Sequence, residues 1–486
     1  MVDQANLEEL IELAKRRGFF WPSFSIYGGF SGFNDYGPLG SILKDRVYDQ
    51  WKRVFFSVGA LEVDTPNLTP EVVLKASGHV EKFLDLAVEC DICKNRFKLE
   101  NILAASGSEK IPESVESADE ILTSGNFKCP KCGNPLKRAF EFYLMFKVVN
   151  GSETFFLRPE TAQGIFPNFK LLLNQNRGKL PMIVIQQGKG FRNEISPRQG
   201  IIRQREFNMA EAEVFLPEEQ VSVFTPEGDE EVTLLTKEGK LLKMNLKEAA
   251  ERKIILTQDH SFFMELIFRF AVGIGISRER LRFRQHRNDE LAHYSSECWD
   301  LEFQIDKEWM EITGIADRGK YDLSKHITES GENLFYEENK IAHVLEPSSG
   351  IDRVIASLLL SSLKKRETGY NLLKLPGHIS PYRVAVLPLQ KKDGLSEKAL
   401  EIFSRLRKIE PYSVYDESGA IGRRYARQDE IGTPYCITID YETLERNVVT
   451  IRERDGATQI KEISVEELFS SKDFLTNEVL KKFKIN

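Results

Sequence analysis

The hydrophobic and polar positions change their period several times along the chain, and these changes predict an order of helices and strands. Amphipathic helical patterns cover residues 4–17 and 38–57. Runs rich in aromatic and β-branched residues then alternate with turns over residues 141–215, as neighbouring antiparallel strands do. Residues 261–362 return to a helix, strand-like runs and a last apolar helix. The pattern predicts an α+β fold in which helices flank an antiparallel sheet.

Shifts in composition divide the chain into segments. A polar, Ser/Glu-rich stretch interrupts the early pattern, and short strands with a short helix interrupt it again later. The stretch NLLKLPGHISPY, residues 371–382, has the composition of a linker, and beyond it strands and helices alternate as in a compact α/β domain. The predicted segments are an N-terminal part of the core domain (1–88), a cysteine-containing insertion (89–140), a first core segment (141–215), a second insertion (216–260), a second core segment (261–375) and a C-terminal domain (380–486).

Length and charge narrow the classes of protein to which the chain can belong. Its 486 residues exceed one compact domain and are typical of about two to four domains. The net charge is −7 and the pI about 5.8, so any contact with nucleic acid must come from local basic patches. The N-terminal helix has no apolar signal core, and no apolar run reaches membrane-spanning length. We therefore expect a cytoplasmic protein without a membrane segment.

Four of the six cysteines form two CxxC pairs, CDIC and CPKC. The thiolates of such pairs can bind a single tetrahedral Zn²⁺ at about 2.3 Å. Four unrelated thiols or a thioredoxin-like redox pair are the alternatives, and two pairs that frame a polar loop favour zinc. The pairs are farther apart than in a compact zinc ribbon, so residues 100–125 should loop out. The predicted ligands of a closed, structural Zn²⁺ site are Cys90, Cys93, Cys129 and Cys132.

The segment FRNEISPRQGIIRQREFNMAEAEVF, residues 191–215, crowds arginines before an apolar and acidic run. Its pattern predicts a strand that ends at Arg192, then a turn and a return strand. Such a hairpin suits a nucleotide triphosphate beside a small amine, because guanidinium groups match phosphate oxygens and carboxylates match an ammonium ion. A solvated basic hairpin explains the segment equally well by itself. Alternation would place these side chains on one face of the return strand: Arg203, Arg205, Phe207, Glu211 and Glu213.

Other segments resolve this ambiguity through a resemblance. Three stretches together resemble the motifs of class II aminoacyl-tRNA synthetases: LKDRVYDQWKRVFFSVGALEVDTPNLTP (43–70), FRNE…RQREF (191–207) and GIDRVIASLLL (350–360). Four more closely resemble glycyl-tRNA synthetases of the homodimeric, archaeal and eukaryotic type: RPETAQGIF (158–166), FRQHRNDELAHYSSECWD (283–300), EITGIADRGKYDL (311–323) and EPSSGIDR (346–353). The C-terminal part, with GRRYARQDEIGTPYCITID and VVTIRERD, resembles that family's anticodon-binding domain.

The resemblance runs from about residue 7 to the C-terminus. It implies a class II antiparallel sheet flanked by helices, a zinc-ribbon-like insertion and a C-terminal α/β anticodon-binding domain. Motif 1 falls in the N-terminal part of this catalytic domain and usually builds a two-fold interface, so a homodimer is implied.

By similarity, the family binds ATP with Mg²⁺ bent over the sheet. Arg192 matches the arginine that holds the α-phosphate and Arg353 the arginine on the γ-phosphate, so these two are the predicted catalytic residues. Phe207 would stack under adenine, and Glu311 would act through Mg²⁺. The implied ATP contacts are Arg192, Asn193, Glu194, Ile202, Arg203, Gln204, Arg205, Glu206, Phe207, Glu311, Ile312, Gly350, Ile351, Asp352 and Arg353.

A glycine pocket needs anionic groups for the ammonium ion and bulk where any side chain would lie. Three carboxylates of the family's pocket are present, and such like charges raise each other's pKa when the pocket is empty. Arg318 matches the group that faces the substrate carboxylate. Lys98 falls where relatives have an arginine; a lysine keeps the positive charge but lacks the planar guanidinium that can donate two parallel hydrogen bonds. The implied glycine contacts are Lys98, Glu160, Phe207, Asn208, Met209, Ala210, Glu211, Arg318, Glu346, Pro347, Ser348, Ser349 and Gly350.

The resemblance implies a reaction in two steps. The carboxylate of glycine attacks the α-phosphate of ATP and gives glycyl-adenylate and pyrophosphate, and the 3′-terminal ribose hydroxyl of tRNA-Gly then takes the glycyl group. Positioning and charge stabilisation suffice, so no covalent enzyme intermediate is needed. Attack of a second ATP on the adenylate would give diadenosine tetraphosphate, which relatives make.

Two other functions fit parts of the sequence. A class II synthetase for threonine, proline, serine or histidine shares motifs 2 and 3, although a glutamate-lined pocket suits glycine better. A non-catalytic RNA- or DNA-binding relative would tend to lose the motif arginines, which are present here. Anticodon bases are normally read by stacking and by hydrogen bonds to their edges, and a solvated basic helix face is the alternative for each candidate. The predicted tRNA contacts are Arg423, Arg424 and Arg427.

Overall fold

The N-terminal part contains both helices that the hydrophobic pattern predicts. The computed structural model describes residues 6–470 apart from 108–111, 113, 196, 198–199, 219–221, 293–294 and 368. The first helix begins after Asn6, whose side chain accepts a hydrogen bond from the Glu9 amide, and ends at Gly18, which has a φ of 82°. The elements are α1 (Leu7–Arg17), β1 (Phe20–Pro22), β2 (Asn34–Tyr36), α2 (Pro38–Phe56), β3 (Leu61–Glu62), β4 (Leu68–Pro70), α3 (Glu71–Ala76) and α4 (His79–Lys82).

The cysteine-containing segment folds around a small core of its own. The residues that were expected to loop out instead form two helices, because Leu99, Leu103 and Leu122 pack against Val88 and two of the cysteines. Its first strand lies in the middle of a three-stranded antiparallel sheet. The elements are β5 (Leu84–Glu89), β6 (Arg96–Lys98), α5 (Leu99–Ala105), α6 (Val115–Ser124) and β7 (Ala139–Tyr143).

A largely antiparallel sheet forms the centre of the chain and carries helices on its faces. The strands before the second insertion, with their helices, are β8 (Phe146–Asn150), β9 (Glu153–Leu157), α7 (Ala162–Ile165), α8 (Phe169–Gln175), β10 (Met182–Phe191) and β11 (Glu206–Leu216). Those that follow are β12 (Glu231–Leu235), β13 (Leu241–Asn245), α9 (Leu246–Glu251), α10 (Gln258–Gly273), β14 (Leu281–Gln285), β15 (Glu297–Ile305), β16 (Glu308–Gly319), α11 (Tyr321–Ser330), β17 (His343–Gly350), α12 (Ile351–Ser362), β18 (Leu363–Lys365) and β19 (Asn371–Leu373). Among the described residues the sheet has nine strands in the order β13-β12-β14-β15-β16-β17-β11-β10-β3.

Three details differ from the sequence-based expectations. The run FEFYLMFKVV is two strands of different sheets, β7 and β8, because Met145 turns into a cluster with Leu74 and Phe156. Residues 216–260 contribute a hairpin that extends the central sheet, since β12 pairs in parallel with β14. The supposed linker at 371–382 buries Leu373 and Ile379 in the main core, so it is not a solvated connection.

The C-terminal domain has the predicted strand–helix alternation. Its first strand lies between the second and the third and is parallel to both, and the fourth and fifth strands follow the third in antiparallel pairs. Helix α1 contacts this domain, where Arg16 and Arg17 both pair with Glu430. The elements are β20 (Val384–Pro388), α13 (Leu395–Ile409), β21 (Ser413–Tyr415), α14 (Ile421–Ile431), β22 (Tyr435–Ile439), α15 (Tyr441–Arg446), β23 (Val448–Glu453), β24 (Gln459–Ser464) and α16 (Val465–Leu468).

Candidate active site

Two arginines from distant motifs meet across one cavity on a face of the central sheet. Arg192, just past the end of β10, has its guanidinium carbon 5.3 Å from the centroid of the Phe207 ring and 5.5 Å from that of Phe83. Arg353, in the first turn of α12, donates from Nη1 to the Glu311 carboxylate at 3.1 Å. Both arginines line the same cavity with Glu311 and Phe207. The fold therefore brings together the two arginines that the sequence separates by 160 residues.

Glu311 is a carboxylate held between these two cations. Desolvation by the surrounding groups would raise its pKa, but Arg353 and Arg192 together outweigh it, and the pKa of Glu311 lies below its usual range, while half of its side chain is exposed. Glu311 is therefore anionic at neutral pH and could hold a divalent cation that accompanies a triphosphate.

Glycines in β10 make room for the groups that come from neighbouring segments. A Cβ on Gly188 would lie 2.2 Å from Nη2 of Arg158, and a Cβ on Gly190 would lie 2.6 Å from the ring of Phe207. Any side chain at either position would displace these groups. The two glycines of the GKG stretch therefore allow Arg158 and Phe207 to pack directly against the backbone of β10.

Asp352 is the buried anchor of the cavity floor. Its carboxylate accepts hydrogen bonds from the Asn208 amide at 2.8 Å, from the Asn208 side chain at 2.7 Å and from the Gln204 side chain at 3.0 Å. Tyr36 of β2 donates a further bond at 2.5 Å. Asp352 thus joins the N-terminal part, the strand β11 and the helix α12 beneath the cavity.

An acidic ring lies around the buried guanidinium of Arg318 beside this cavity and consists of the carboxyl groups of Glu160, Glu211, Glu213, Asp322 and Glu346. Arg318, at the end of β16, is only 1% exposed and donates to Asp322 at 2.8 and 2.9 Å and to Glu346 at 2.8 Å. Glu160 lies 3.6 Å away from the same guanidinium. Arg318 therefore faces protein carboxylates, whereas the resemblance had placed it at the carboxylate of the substrate. Its geometry makes it the counter-ion of the ring.

Glu211 is fixed by donors from the loop that precedes α7. One of its oxygens accepts from the Thr161 amide at 2.6 Å, the Thr161 hydroxyl at 2.5 Å and the Ala162 amide at 3.0 Å, and the other accepts from Ser348 at 2.7 Å. Burial raises the pKa of Glu211, and Glu160 adds to the shift. Ser348 also lines the cavity of Arg192 and Arg353, so ring and cavity meet at this hydroxyl.

The pKa values of Glu160 and Glu346 are shifted in opposite directions within the ring. Burial would raise the pKa of Glu160, but His79 and Arg318 outweigh it and the pKa of Glu160 falls below its usual range. Burial raises the pKa of Glu346 to about 8, with Glu211 and Glu160 adding to the shift and Arg318 opposing it. The ring thus shifts the pKa values of two neighbouring carboxyl groups in opposite directions.

Most of the predicted ATP contacts line the cavity, and four do not. Arg205 donates to the carbonyls of Ser31 and Glu194, Asn193 bonds to the carbonyl of Tyr143, Glu206 pairs with Lys189, and Ile351 is buried in the core. Strand β11 begins only at Glu206, so Arg203 and Arg205 lie in the preceding turn and do not share the strand face of Phe207, Glu211 and Glu213. The predicted residues that line the cavity are Arg192, Glu194, Ile202, Arg203, Gln204, Phe207, Glu311, Ile312, Gly350, Asp352 and Arg353.

Lys98 pairs with carboxylates that are not among the predicted glycine contacts. It ends strand β6 of the cysteine-containing unit, and its ammonium pairs with Asp85 and Glu100 at 3.1 Å each. The remaining predicted glycine contacts belong to β11 and β17 or line the ring directly. They are Glu160, Phe207, Asn208, Met209, Ala210, Glu211, Arg318, Glu346, Pro347, Ser348, Ser349 and Gly350.

Several members of the site were not among the residues predicted from the sequence. Asp322 holds Arg318, and Gln163 donates to both Glu160 at 3.1 Å and Asp322 at 2.9 Å. His79 lies 3.4 Å from Glu160. Two of these lie in the stretches RPETAQGIF and EITGIADRGKYDL that carry the resemblance, but their pairing with the ring depends on the fold.

The four predicted zinc ligands converge. Their sulfur atoms all lie within 4.8 Å of one another, with Sγ distances of 3.5 Å between Cys90 and Cys132 and 3.6 Å between Cys93 and Cys129. A tetrahedron with Zn–S bonds of about 2.3 Å has edges of about 3.8 Å, so the donor set fits Zn²⁺. The two knuckles match, since Lys94 and Gly133 adopt positive φ and their amides bond back to the first cysteine of each pair.

The three candidate tRNA-binding arginines of α14 have different surroundings. Arg424 is buried and its guanidinium donates to the carbonyls of Pro388, Glu417 and Gly419, so it holds the domain together and is not available to an RNA. Arg427 pairs with Asp416 and bonds to the carbonyl of Ser418. Arg423 is exposed. In the described part of the chain, no helix has both the length and the apolarity to cross a membrane.

Comparison with known proteins defines the class of this fold and site. A family model described as "tRNA synthetase class II core domain (G, H, P, S and T)" matches residues 145–361, and one described as "Anticodon binding domain" matches residues 383–471. The solved prolyl-tRNA synthetases of Giardia lamblia and Cryptosporidium parvum both have TM-scores of 0.58, at 14% and 13% identity. They cover 96% and 98% of this chain, which covers 76% and 78% of theirs, and at these identities they show the fold alone. The fold is that of a class II aminoacyl-tRNA synthetase.

Closer relatives define the member of that class. The chain is 39% identical to the glycine–tRNA ligase of Methanothrix thermoacetophila, over 93% of this chain and 94% of the relative. It is also 39% identical to the glycine–tRNA ligase of Thermococcus sibiricus, over 96% and 98%. The chain belongs to the glycine–tRNA ligase family. Both the predicted family and the predicted fold class are confirmed.

Proposed function

We propose that this chain activates glycine with ATP and transfers it to the 3′ end of tRNA-Gly. The observation that carries the proposal is the junction of an acidic ring with a cavity between two guanidinium groups on one face of the sheet. In the ring, Glu211 and Glu346 would bind an ammonium ion, and in the cavity, Arg192 and Arg353 would bind a triphosphate. A substrate with an ammonium ion and no side chain fits between them.

The side chains act mainly by position. The acidic ring holds the ammonium of glycine, which leaves its carboxylate directed toward the cavity that Ser348 shares with the ring. Arg192 would hold the α-phosphate under attack, and Arg353 would take up the negative charge that develops on the departing pyrophosphate. Glu311 would hold Mg²⁺, which supplies charge neutralisation for the phosphates when it is bound. The Phe207 ring, which the Arg192 guanidinium contacts in this structure, would stack against adenine.

Glycine-dependent exchange of pyrophosphate into ATP tests the proposal. The purified chain should catalyse exchange with glycine and not with alanine, serine, threonine or proline. Glu211→Gln should raise the KM for glycine by about tenfold or more, because a charge-assisted hydrogen bond is lost from a buried site. Exchange supported by another amino acid in preference to glycine would contradict the assignment.

A homodimer is the second part of the proposal. An exposed loop after β1 presents four large apolar side chains, which a solvated monomer would leave in contact with water. They are Phe24, Ile26, Tyr27 and Phe30. Light scattering coupled to gel filtration should give twice the chain mass of 55.8 kDa, and a single chain mass at micromolar concentration would contradict the dimer.

Two further expectations concern a second reaction product and the location of the protein in the cell. Diadenosine tetraphosphate would form if a second ATP attacked the adenylate, and chromatography of a reaction with glycine, ATP and pyrophosphatase would detect it. The cytoplasm stays the predicted location.

A further inference from the structure

One acidic side chain of the ring has no role in the function proposed above. Glu213 follows Glu211 by two residues on the same face of β11 and is fully buried. Neither of its carboxyl oxygens has a hydrogen-bond partner among the residues that the structure describes. Buried polar atoms are almost always paired, because an unpaired one loses its hydration without compensation. Its next neighbour on this face is the apolar Phe215.

The charged groups that face Glu213 come from each packed element. The register pairs Glu211 with Ser348 and Val214 with Leu345, which places Glu213 across from Glu346 on β17. Arg318 of β16, Asp322 of α11 and Glu211 of β11 also act on its charge. Burial and then Glu346 raise the pKa of Glu213 well above its usual range, and Arg318 opposes them.

The ring as a whole has too many carboxyl groups to be fully ionised. Arg318 and Arg158 are the buried guanidiniums that act on it, and His79 adds a charge only when protonated. An uncompensated buried carboxylate is costly, so the cluster must keep protons. The carboxyl groups are Glu160, Glu211, Glu213, Asp322 and Glu346.

We propose that Glu213 is a positioning residue of the glycine pocket that stays protonated in the working enzyme, so that the ring presents one negative charge fewer to the ammonium ion than its carboxyl groups could carry. A protonated carboxyl group has one O–H donor and a carbonyl acceptor. Its O–H group can donate a hydrogen bond to the carboxylate of Glu346 once Glu346 has released its own proton to bind the ammonium ion. This inference rests on the proposed glycine pocket and adds to it a neutral acid behind Glu346.

Two substitutions at Glu213 separate this role from a structural one. Glu213→Leu removes the unpaired buried polar group, so the melting temperature should rise, while the KM for glycine should rise by about tenfold because the donor behind Glu346 is lost. Glu213→Gln is neutral and keeps a donor and an acceptor, so it should restore the KM for glycine to within about threefold of the parent. The KM for ATP should change in neither variant.

Glu265 provides a matched control. It is a buried glutamate outside the site, and its carboxylate accepts hydrogen bonds from the amides of Glu227 and Gly228 at 2.9 Å. Glu265→Leu should therefore lower the melting temperature without raising the KM for glycine.

The outcomes distinguish this inference from the proposed function. Failure of the parent chain to exchange pyrophosphate with glycine would overturn the proposed function itself. If the parent is active, a lower melting temperature for Glu213→Leu would show an ordinary structural residue. A KM for glycine in Glu213→Gln as high as in Glu213→Leu would show that a charged Glu213 is required. Either result would overturn the inference.

Discussion

Glycine should bind this protein more weakly at pH 6 than at pH 8. The perturbed group is Glu346, whose pKa is raised to about 8 by burial and then by Glu211 and Glu160, against the opposing effect of Arg318. The ammonium ion of glycine prefers the ionised form of Glu346, so binding at lower pH must first expel its proton. Free glycine keeps its ammonium ion over this range. The affinity should therefore increase as the pH rises and level off above about 8.

The size of the effect follows from the fraction of Glu346 that is ionised in the empty pocket. With a pKa of about 8, roughly 1% of the group is ionised at pH 6 and about half at pH 8. The KM for glycine should thus fall about 50-fold between these two values, which corresponds to ~2.3 kcal/mol of binding free energy. Glu160 does not contribute, because its pKa is lowered and it is ionised throughout.

The assay is pyrophosphate exchange at pH 6, 7 and 8, with saturating ATP and Mg²⁺ and with glycine as the varied substrate. The KM for ATP serves as the internal control, since Arg192 and Arg353 line a cavity of which Glu346 is not a lining residue. Circular dichroism at each pH checks that the fold is retained. A KM for glycine that is constant within about threefold, or that rises with pH, would refute the reasoning about Glu346.

Three further predictions concern other parts of the chain. Cys132→Ser should reduce the zinc content measured by mass spectrometry from one ion per chain and should destabilise the cysteine-containing unit, because one of its four thiolates is lost. Gly40→Ala should destabilise the protein by about 3 kcal/mol or more in denaturant unfolding, as its Cβ would lie 1.7 Å from the Phe19 carbonyl oxygen, and an unchanged midpoint would contradict the packing of α2. Arg423→Ala should weaken tRNA binding in a filter assay by about 1 kcal/mol, whereas Arg424→Ala should instead lower the melting temperature of the C-terminal domain.

Local patterns were sufficient for the elements and for much of the site. The helices α1 and α2 and the strand β11 follow from periodicity, because side-chain direction repeats within a few residues of one segment. The cysteine knuckles are also local, since a CxxC pair and the positive φ that follows it are set by five neighbouring residues. The alternation of Phe207, Glu211 and Glu213 on one face could likewise be predicted from the sequence.

Residues far apart in sequence decided the rest. Arg318 pairs with Asp322 and Glu346, and the buried Arg424 donates hydrogen bonds to three carbonyl groups, although the sequence around either arginine does not indicate these partners. The second insertion joins the central sheet because β12 pairs in parallel with β14, and no local pattern in the sequence specifies this pairing.

The sequence by itself determined which side chains share a strand or helix face and which chemical groups are present, because these depend on backbone geometry repeated over a few residues. Only the tertiary structure decided which charge neutralises which and which carboxyl groups of the acidic ring have raised or lowered pKa values. The reason is physical: pairing energies and pKa values depend on distance through space and on burial, and both arise when strands and helices from remote parts of the chain pack together.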